Sequence, residues 1–408
     1  MPDARRPALA ITALVLGGVA IGTTEFVTMG LLPQVADGVA VSIPEAGRAI
    51  SAYAAGVVVG APLIAALGAT LPRRALLVGL MVAFAVGNAL SALAPGFGTL
   101  VGARFLTGLP HGAYFGVAAL VAVDLVPRGR AGRAVGRVML GIPIANILGV
   151  PAATWLGQHL GWRSAFWAVG ALGLLTVALV ATQVPHLPGD RSRTVRTELG
   201  ALGSLQVVLT LLVGAVGFGG MFAMYSYITP TVTGVTGLPD ASVPAVLLLF
   251  GASGFAGNLL AGRLGDWSVL RGVVIGMLGL AVSLAAFALA APHPVLALPA
   301  LALTAVLTSV LVVNLQLRLM QVAGAAQTLA AASNHAALNV ANALGAWLGG
   351  VVIAAGYGYT APSWVGAGLA LLGLGVLAAS VLLHRRDTRR AGVASGPHST
   401  APEPAPVR

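Results

Sequence analysis

The sequence predicts an all-α integral membrane protein of twelve transmembrane helices in two pseudo-symmetric six-helix halves. Three observations carry that reading. The 408-residue chain is 58% hydrophobic and only 8% charged, with a mean hydropathy of +0.94, whereas a soluble domain is roughly 25% charged. Apolar runs of about 20 residues, the length a helix needs to cross the hydrocarbon core, recur along the whole chain. An internal repeat relates the first half of those runs to the second.

The runs come in order at about 8–32, 49–69, 75–94, 99–125, 134–157 and 163–183, then at about 204–229, 242–262, 272–291, 294–317, 326–355 and 361–383. The first follows Arg5 and Arg6 but is longer than the h-region of a signal peptide and is followed by further spans, so it reads as an uncleaved first span. Between the sixth and seventh, VPHLPGDRSRTVRTELGALG carries the prolines and charges of a surface linker. After Arg390, AGVASGPHSTAPEPAPVR has the composition of a disordered tail. The expected organisation is a six-helix bundle over 1–184, a linker over 185–203, a second bundle over 204–385 and a tail over 386–408.

The repeat is visible by sliding the chain along itself. One offset lays RALLVGL from Arg74 over RGVVIGM from Arg271, and also GWRSAFW from Gly161 over GYTAPSW from Gly358. A slightly smaller offset lays TWLG from Thr154 over AWLG from Ala346. Two parallel copies related by an axis along the membrane normal follow, a plan used by transporters.

The net charge of +11 comes from 22 basic residues, every one of them arginine. All but Arg48, Arg104 and Arg163 fall at the N-terminus, in the even-numbered connections or at the C-terminus, which the positive-inside rule makes cytoplasmic. The charge is thus a topology signal, and nucleic acid is excluded as a partner. There are no cysteines, so thiolate metal sites and thiol catalysis are excluded too. With no P-loop pattern and no metal-ligand spacing, an enzyme reading has no support.

Several stretches carry a resemblance. GTTEFVTMGLLPQVA at Gly22, ARFLTGLPHGAYFG at Ala103, NILGVPAATWLGQHLGWRSAFW at Asn146 and NVANALGAWLGG at Asn339 resemble signatures of the major facilitator superfamily. Within it they are similar to the twelve-span drug:proton antiporters, notably the arabinose-efflux and chloramphenicol-resistance permeases. The resemblance implies a monomeric secondary active exporter in the inner membrane. It would exchange protons for a small neutral or lipophilic molecule such as chloramphenicol, with the proton gradient as energy source and no cofactor. A sugar or nucleoside efflux carrier of the same fold is the alternative, and a channel is a weaker one.

The superfamily's loop motif, a glycine followed by Asp and basic residues, is present in the second half as GRLGDWSVLR, with Gly262, Asp266 and Arg271. In the first half the aligned stretch is LGATLPRR, with Ala69 in the acidic position and Arg73 and Arg74 after it. Asp266 is expected to pair with Arg271 or Arg263, or with a helix end, as a latch that holds one conformation closed on the cytoplasmic side; the first half lacks that acid.

Glu25 stands inside the first apolar run, where an ionised carboxylate costs roughly 2.5 kcal/mol or more. It lies about 10 Å below the outer surface, at 1.5 Å per residue, and Arg104 in the fourth span lies at similar depth. The two are expected to approach each other or share a water, with Glu25 as proton carrier or as half of a structural ion pair. Arg104, Gly108, His111 and Phe115 recur on one helix face, so His111 joins the coupling candidates, either titrating or hydrogen-bonding the substrate. His335, Asn339 and Asn342 form a polar stripe in the eleventh span, and Asn146 sits at similar depth in the fifth. With Met221 and Tyr225 of GGMFAMYSYITP they are the substrate-binding candidates. Gly149 and Pro151 of GIPIANILGVPAAT suggest a kinked gating helix.

Overall fold

A computed structural model describes residues 5–68, 70–127, 130–188, 204–323 and 327–394. Among the described residues, eleven helices are long and apolar enough to cross a membrane. They comprise α1 (Arg5–Gly30), α2 (Arg48–Gly68), α3 (Arg73–Leu93), α4 (Phe97–Asp124), α5 (Ala131–Leu160) and α6 (Trp162–Gln183) in the first half. The second half holds α7 (Leu205–Tyr225), a merged helix Val243–Ala290, α10 (Pro294–Val322), α11 (Gln327–Ala354) and α12 (Ala361–Ala394).

The merged helix is two spans. Its 48 residues would reach about 72 Å at 1.5 Å per residue, more than twice the ~30 Å hydrocarbon core. At Ser268 the backbone leaves the helical region, with φ −170° and ψ 113°. The Ser268 hydroxyl accepts from the Arg271 N–H at 3.4 Å, as a cap on the helix that follows. We therefore number 243–267 as α8 and 269–290 as α9, which gives the twelve crossings expected from the sequence.

Twelve crossings return the chain to the face it started from. We call that the terminal end, and the opposite one the distal end. At the distal end two short helices, Leu32–Gly38 and Ile43–Ala46, join α1 to α2, and Ile228–Gly234 follows α7. The seventh span is not a straight rod, because its helix is interrupted at Phe218 and again at Ser226 and Tyr227. The last helix runs to Ala394, past the expected start of the tail at residue 386. Residues 189–203 and 395–408, most of the expected linker and tail, lie outside the described residues, as does Ala69.

Within the first half α2 packs on α4 and α3 on α6; within the second, α7 packs on α11 and α12. Small residues set these seams. A Cβ at Gly56 or Gly60 would overlap the carbonyl of Phe105 or Leu109, and one at Gly108 would overlap the carbonyl of Tyr53. Hence α2 and α4 touch backbone to backbone. Between the halves, α2 meets α11 and α5 meets the merged α8 and α9 helix.

Among the described residues, the hydrogen bonds between halves cluster toward the distal end. The Thr229 hydroxyl lies 3.1 and 3.0 Å from the carbonyls of Met29 and Gly30. Ser51 donates to the Ala343 carbonyl at 3.1 Å, and Gln158 to that of Asp240 at 2.8 Å. Below them an apolar cluster joins Phe26, Met29 and Val150 of the first half to Phe222, Tyr225 and Leu247 of the second. The halves are therefore shut together at the distal end.

Candidate functional site

Beneath that closure lies a cavity of about 250 Å³ between the halves. Glu25 and Phe26 reach it from α1, His111 from α4, Asn146 from α5, Met221 and Tyr225 from α7, and His335 and Asn339 from α11. Phe222, Phe250, Asn258, Thr308 and Ser309 are also in its wall. Seven of the residues singled out in the sequence thus share one chamber. The aromatic wall is ordered: Phe26 stacks on Phe222 with centroids 6.2 Å apart, and Tyr225 stacks on Phe250 at 4.3 Å.

Glu25 is 5% exposed. Its Oε1 accepts from Asn342 Nδ2 at 3.3 Å, so the acid of α1 meets an amide of α11 across the two halves. Asn342 is not in the cavity wall; it stands behind Glu25, and its own Oδ1 is buried with no partner among the described residues.

The expected approach of Glu25 and Arg104 takes a different form. No ion pair joins them among the described residues, where the salt bridge present is Arg73 with Asp124. Arg104, fully buried, donates from Nη2 to the Thr24 carbonyl at 2.9 Å and from Nη1 to the Thr24 hydroxyl at 3.2 Å. Its guanidinium carbon lies 4.4 Å from the Tyr53 ring centroid and 5.4 Å from that of Phe166. The Thr24 hydroxyl donates in turn to Asn88 Oδ1 at 2.6 Å. Both terminal nitrogens of the guanidinium are thus bound by Thr24 and its faces are covered by two rings, although Nε has no partner among the described residues; the Glu25 carboxylate faces the cavity instead.

The expected latch is not engaged in this conformation, which is shut at the distal end. Asp266 is exposed and makes neither an ion pair nor a side-chain hydrogen bond among the described residues, while Arg271 stacks on Trp267 at 4.5 Å. The break at Ser268 parts Asp266 from the helix that carries Arg271. In the first half Arg73 holds Asp124 at the end of α4, and its N–H bonds the Leu187 carbonyl at 3.0 Å. Arg74 lies 3.5 Å from the Val184 carbonyl. The arginines of LPRR thus tie α3 to the ends of α4 and α6.

Gly149 and Pro151 shape α5. Residues Ala145–Gly149 form a π-helical turn in which the Val150 N–H bonds Ala145 O. Pro151 has no N–H, so the Asn146 carbonyl loses both its α-helical and its π-helical donor. That carbonyl lies against the Cα of Gly251 in α8, where a Cβ would overlap it. Gly149 similarly admits the Thr23 hydroxyl of α1. Gly251→Leu is expected to wedge α5 from α8 and oppose distal closure. Cysteines placed at Ser51 and Ala343 should be cross-linked by a short bifunctional reagent in the otherwise wild-type protein and poorly in Gly251→Leu.

Sequence reasoning missed Tyr53, Thr24, Asn88 and Thr229. Thr24 adjoins the glutamate, and Asn88 is a lone amide in an apolar span; either could have been flagged. Tyr53 gives no such signal, because an aromatic residue near a span end ordinarily reads as an interface anchor.

Twelve membrane-crossing helices, clamped across their two halves at one end above a chamber of aromatic rings, amides and one acid, define a polytopic membrane transporter. The chain belongs to the Major Facilitator Superfamily, whose profile matches residues 14–328. It is 43% identical over 366 residues, 89% of this chain and 94% of the other, to the inner membrane transport protein YdhP of Escherichia coli O157:H7. It is 35% identical over 349 residues, 85% of this chain and 89% of the other, to a chloramphenicol resistance protein of Streptomyces lividans. The crystal structure of a D-xylose–proton symporter shares the fold, with a TM-score of 0.73 over 90% of this chain and 96% of that one at 18% identity.

Proposed function

We propose that this protein is a proton-coupled exporter of small neutral or lipophilic molecules, chloramphenicol among them, working by alternating access. One observation carries the reading: the buried acid Glu25 sits in the cavity wall and hydrogen-bonds the opposite half at the distal closure. A group in that position feels both the contents of the cavity and the state of the gate. Glu25 is the proton carrier, Arg104 holds the α1 backbone beside it, and the rings and amides of the cavity take the substrate. The chloramphenicol resistance protein among the relatives supports the choice of substrate. The arginine asymmetry supports cytoplasmic termini, which makes the distal closure the outer one and this conformation closed to the outside.

Transport by purified protein in proteoliposomes under an imposed pH gradient tests the function. Chloramphenicol and a panel of sugars and nucleosides serve as substrates. Uptake of chloramphenicol against its gradient, with trans substrate accelerating exchange, is the expected result; uptake of sugars alone would favour the other carrier reading. Orientation is tested separately, since the parent has no cysteine to confuse labelling. Asp240→Cys should react with an impermeant thiol reagent in intact cells and Thr388→Cys should not.

A further inference from the structure

His111 lines the cavity, and its Nδ1 lies 3.0 Å from the hydroxyl of Tyr53, a residue outside the cavity wall. Either atom could donate, and hydrogen-bond accounting decides which. Tyr53 is 1% exposed, and among the described residues its hydroxyl has no other partner. If His111 donated from Nδ1, the phenolic hydrogen would be buried with no acceptor, at the full desolvation cost of that group. If Tyr53 donates, both atoms are satisfied and the imidazole proton must sit on Nε2. The Arg104 guanidinium over the Tyr53 ring favours the same direction, because a cation on the π face makes the phenol a stronger donor. A second proton on His111 would remove the acceptor from Tyr53 and set two donors against each other. The ring plane is held by Phe115, 5.5 Å away, which stacks on His335 from α11 at 5.9 Å.

We propose that Tyr53 is a positioning residue that fixes His111 as the neutral Nε2–H tautomer. The cavity then meets its ligand with a hydrogen-bond donor at that point and selects molecules carrying an acceptor there, such as a nitro or carbonyl oxygen. This assigns His111 to substrate selection and leaves the proton to Glu25. The ligand part rests on the exporter reading; the tautomer part does not.

The test uses the full-length protein with ¹⁵N-labelled histidine. There are seven histidines, and the His111 signals are assigned by their loss in His111→Gln. At neutral pH, side-chain nitrogen spectra of the wild type should show His111 with its proton on Nε2 and Nδ1 as an acceptor. In Tyr53→Phe the ring should populate both tautomers, and chloramphenicol binding should weaken about twofold, because only the Nε2–H fraction presents the donor. A proton on Nδ1 or a cationic ring in the wild type would overturn the proposal, as would an unchanged tautomer in folded Tyr53→Phe. Should Tyr53→Phe fail to fold, the wild-type spectrum alone decides. Absence of chloramphenicol binding to the wild type would count against the substrate reading, and the nitrogen spectrum then decides the tautomer claim alone.

Discussion

Glu25→Gln is expected to reduce pH-gradient-driven transport to the level of empty vesicles while the protein stays folded and still binds substrate. Glutamine keeps the shape and an amide oxygen that can accept from Asn342, but it cannot release or regain a proton. Stability should change by no more than about 1 kcal/mol, the net worth of an ordinary hydrogen bond. That small cost follows from Arg104. Had the two formed a buried ion pair, removing the acid would strand a guanidinium at a cost of about 3–5 kcal/mol. Here the guanidinium is bound to Thr24 and lies over the Tyr53 ring, so it keeps its partners. Thermal unfolding and chloramphenicol binding, read beside transport, separate the cases. Poorly folded Glu25→Gln protein rescued by neutralising Arg104 would support a structural brace instead.

Gly108→Val is expected to cause the largest loss of folded protein. The first atom of any side chain at Gly108 falls on the Tyr53 carbonyl, and a Cβ at Gly56 on the facing helix falls on that of Phe105. Both obstacles are backbone, so relief requires moving α2 away from α4. Overpacking of this kind costs about 1–3 kcal/mol and occasionally more. The shift also draws Tyr53 from His111 and from Arg104, so export should be lost even in the fraction that folds. Gly102→Ala is the control, because a Cβ there meets nothing within 4 Å. Gel-filtration profiles and melting temperatures of the two variants should diverge. Similar behaviour of both would show that the α2–α4 seam tolerates separation.

Much of this architecture was legible in the sequence, because a bilayer leaves a spanning helix little freedom: length and hydropathy gave twelve runs, and the structure has twelve crossings. The composition of the cavity was legible too. Polar residues inside apolar spans are costly, so Glu25, His111, Asn146, His335 and Asn339 stood out, and all of them face the chamber. What each touches was not legible. The partner of Arg104 is a backbone carbonyl, which every residue possesses, so no sequence pattern could single it out. The bond from Asn342 to Glu25 joins residues 317 positions apart across the halves, and the register of α1 against α11 depends on how the distal end closes. The merged helix shows the converse difficulty: GRLGDWSVLR reads as a loop motif, yet the chain bends there at the single residue Ser268.

The central claim is that protons move opposite to substrate through Glu25. The most direct measurement is the internal pH of proteoliposomes, followed with a trapped indicator as chloramphenicol is added on the side of the chain termini with no imposed gradient. Wild-type protein should move protons toward that side as substrate leaves it, in proportion to the substrate carried, and Glu25→Gln should move none. Proton movement coupled to substrate in well-folded Glu25→Gln, or substrate flux in the wild type with no proton movement, would contradict the account.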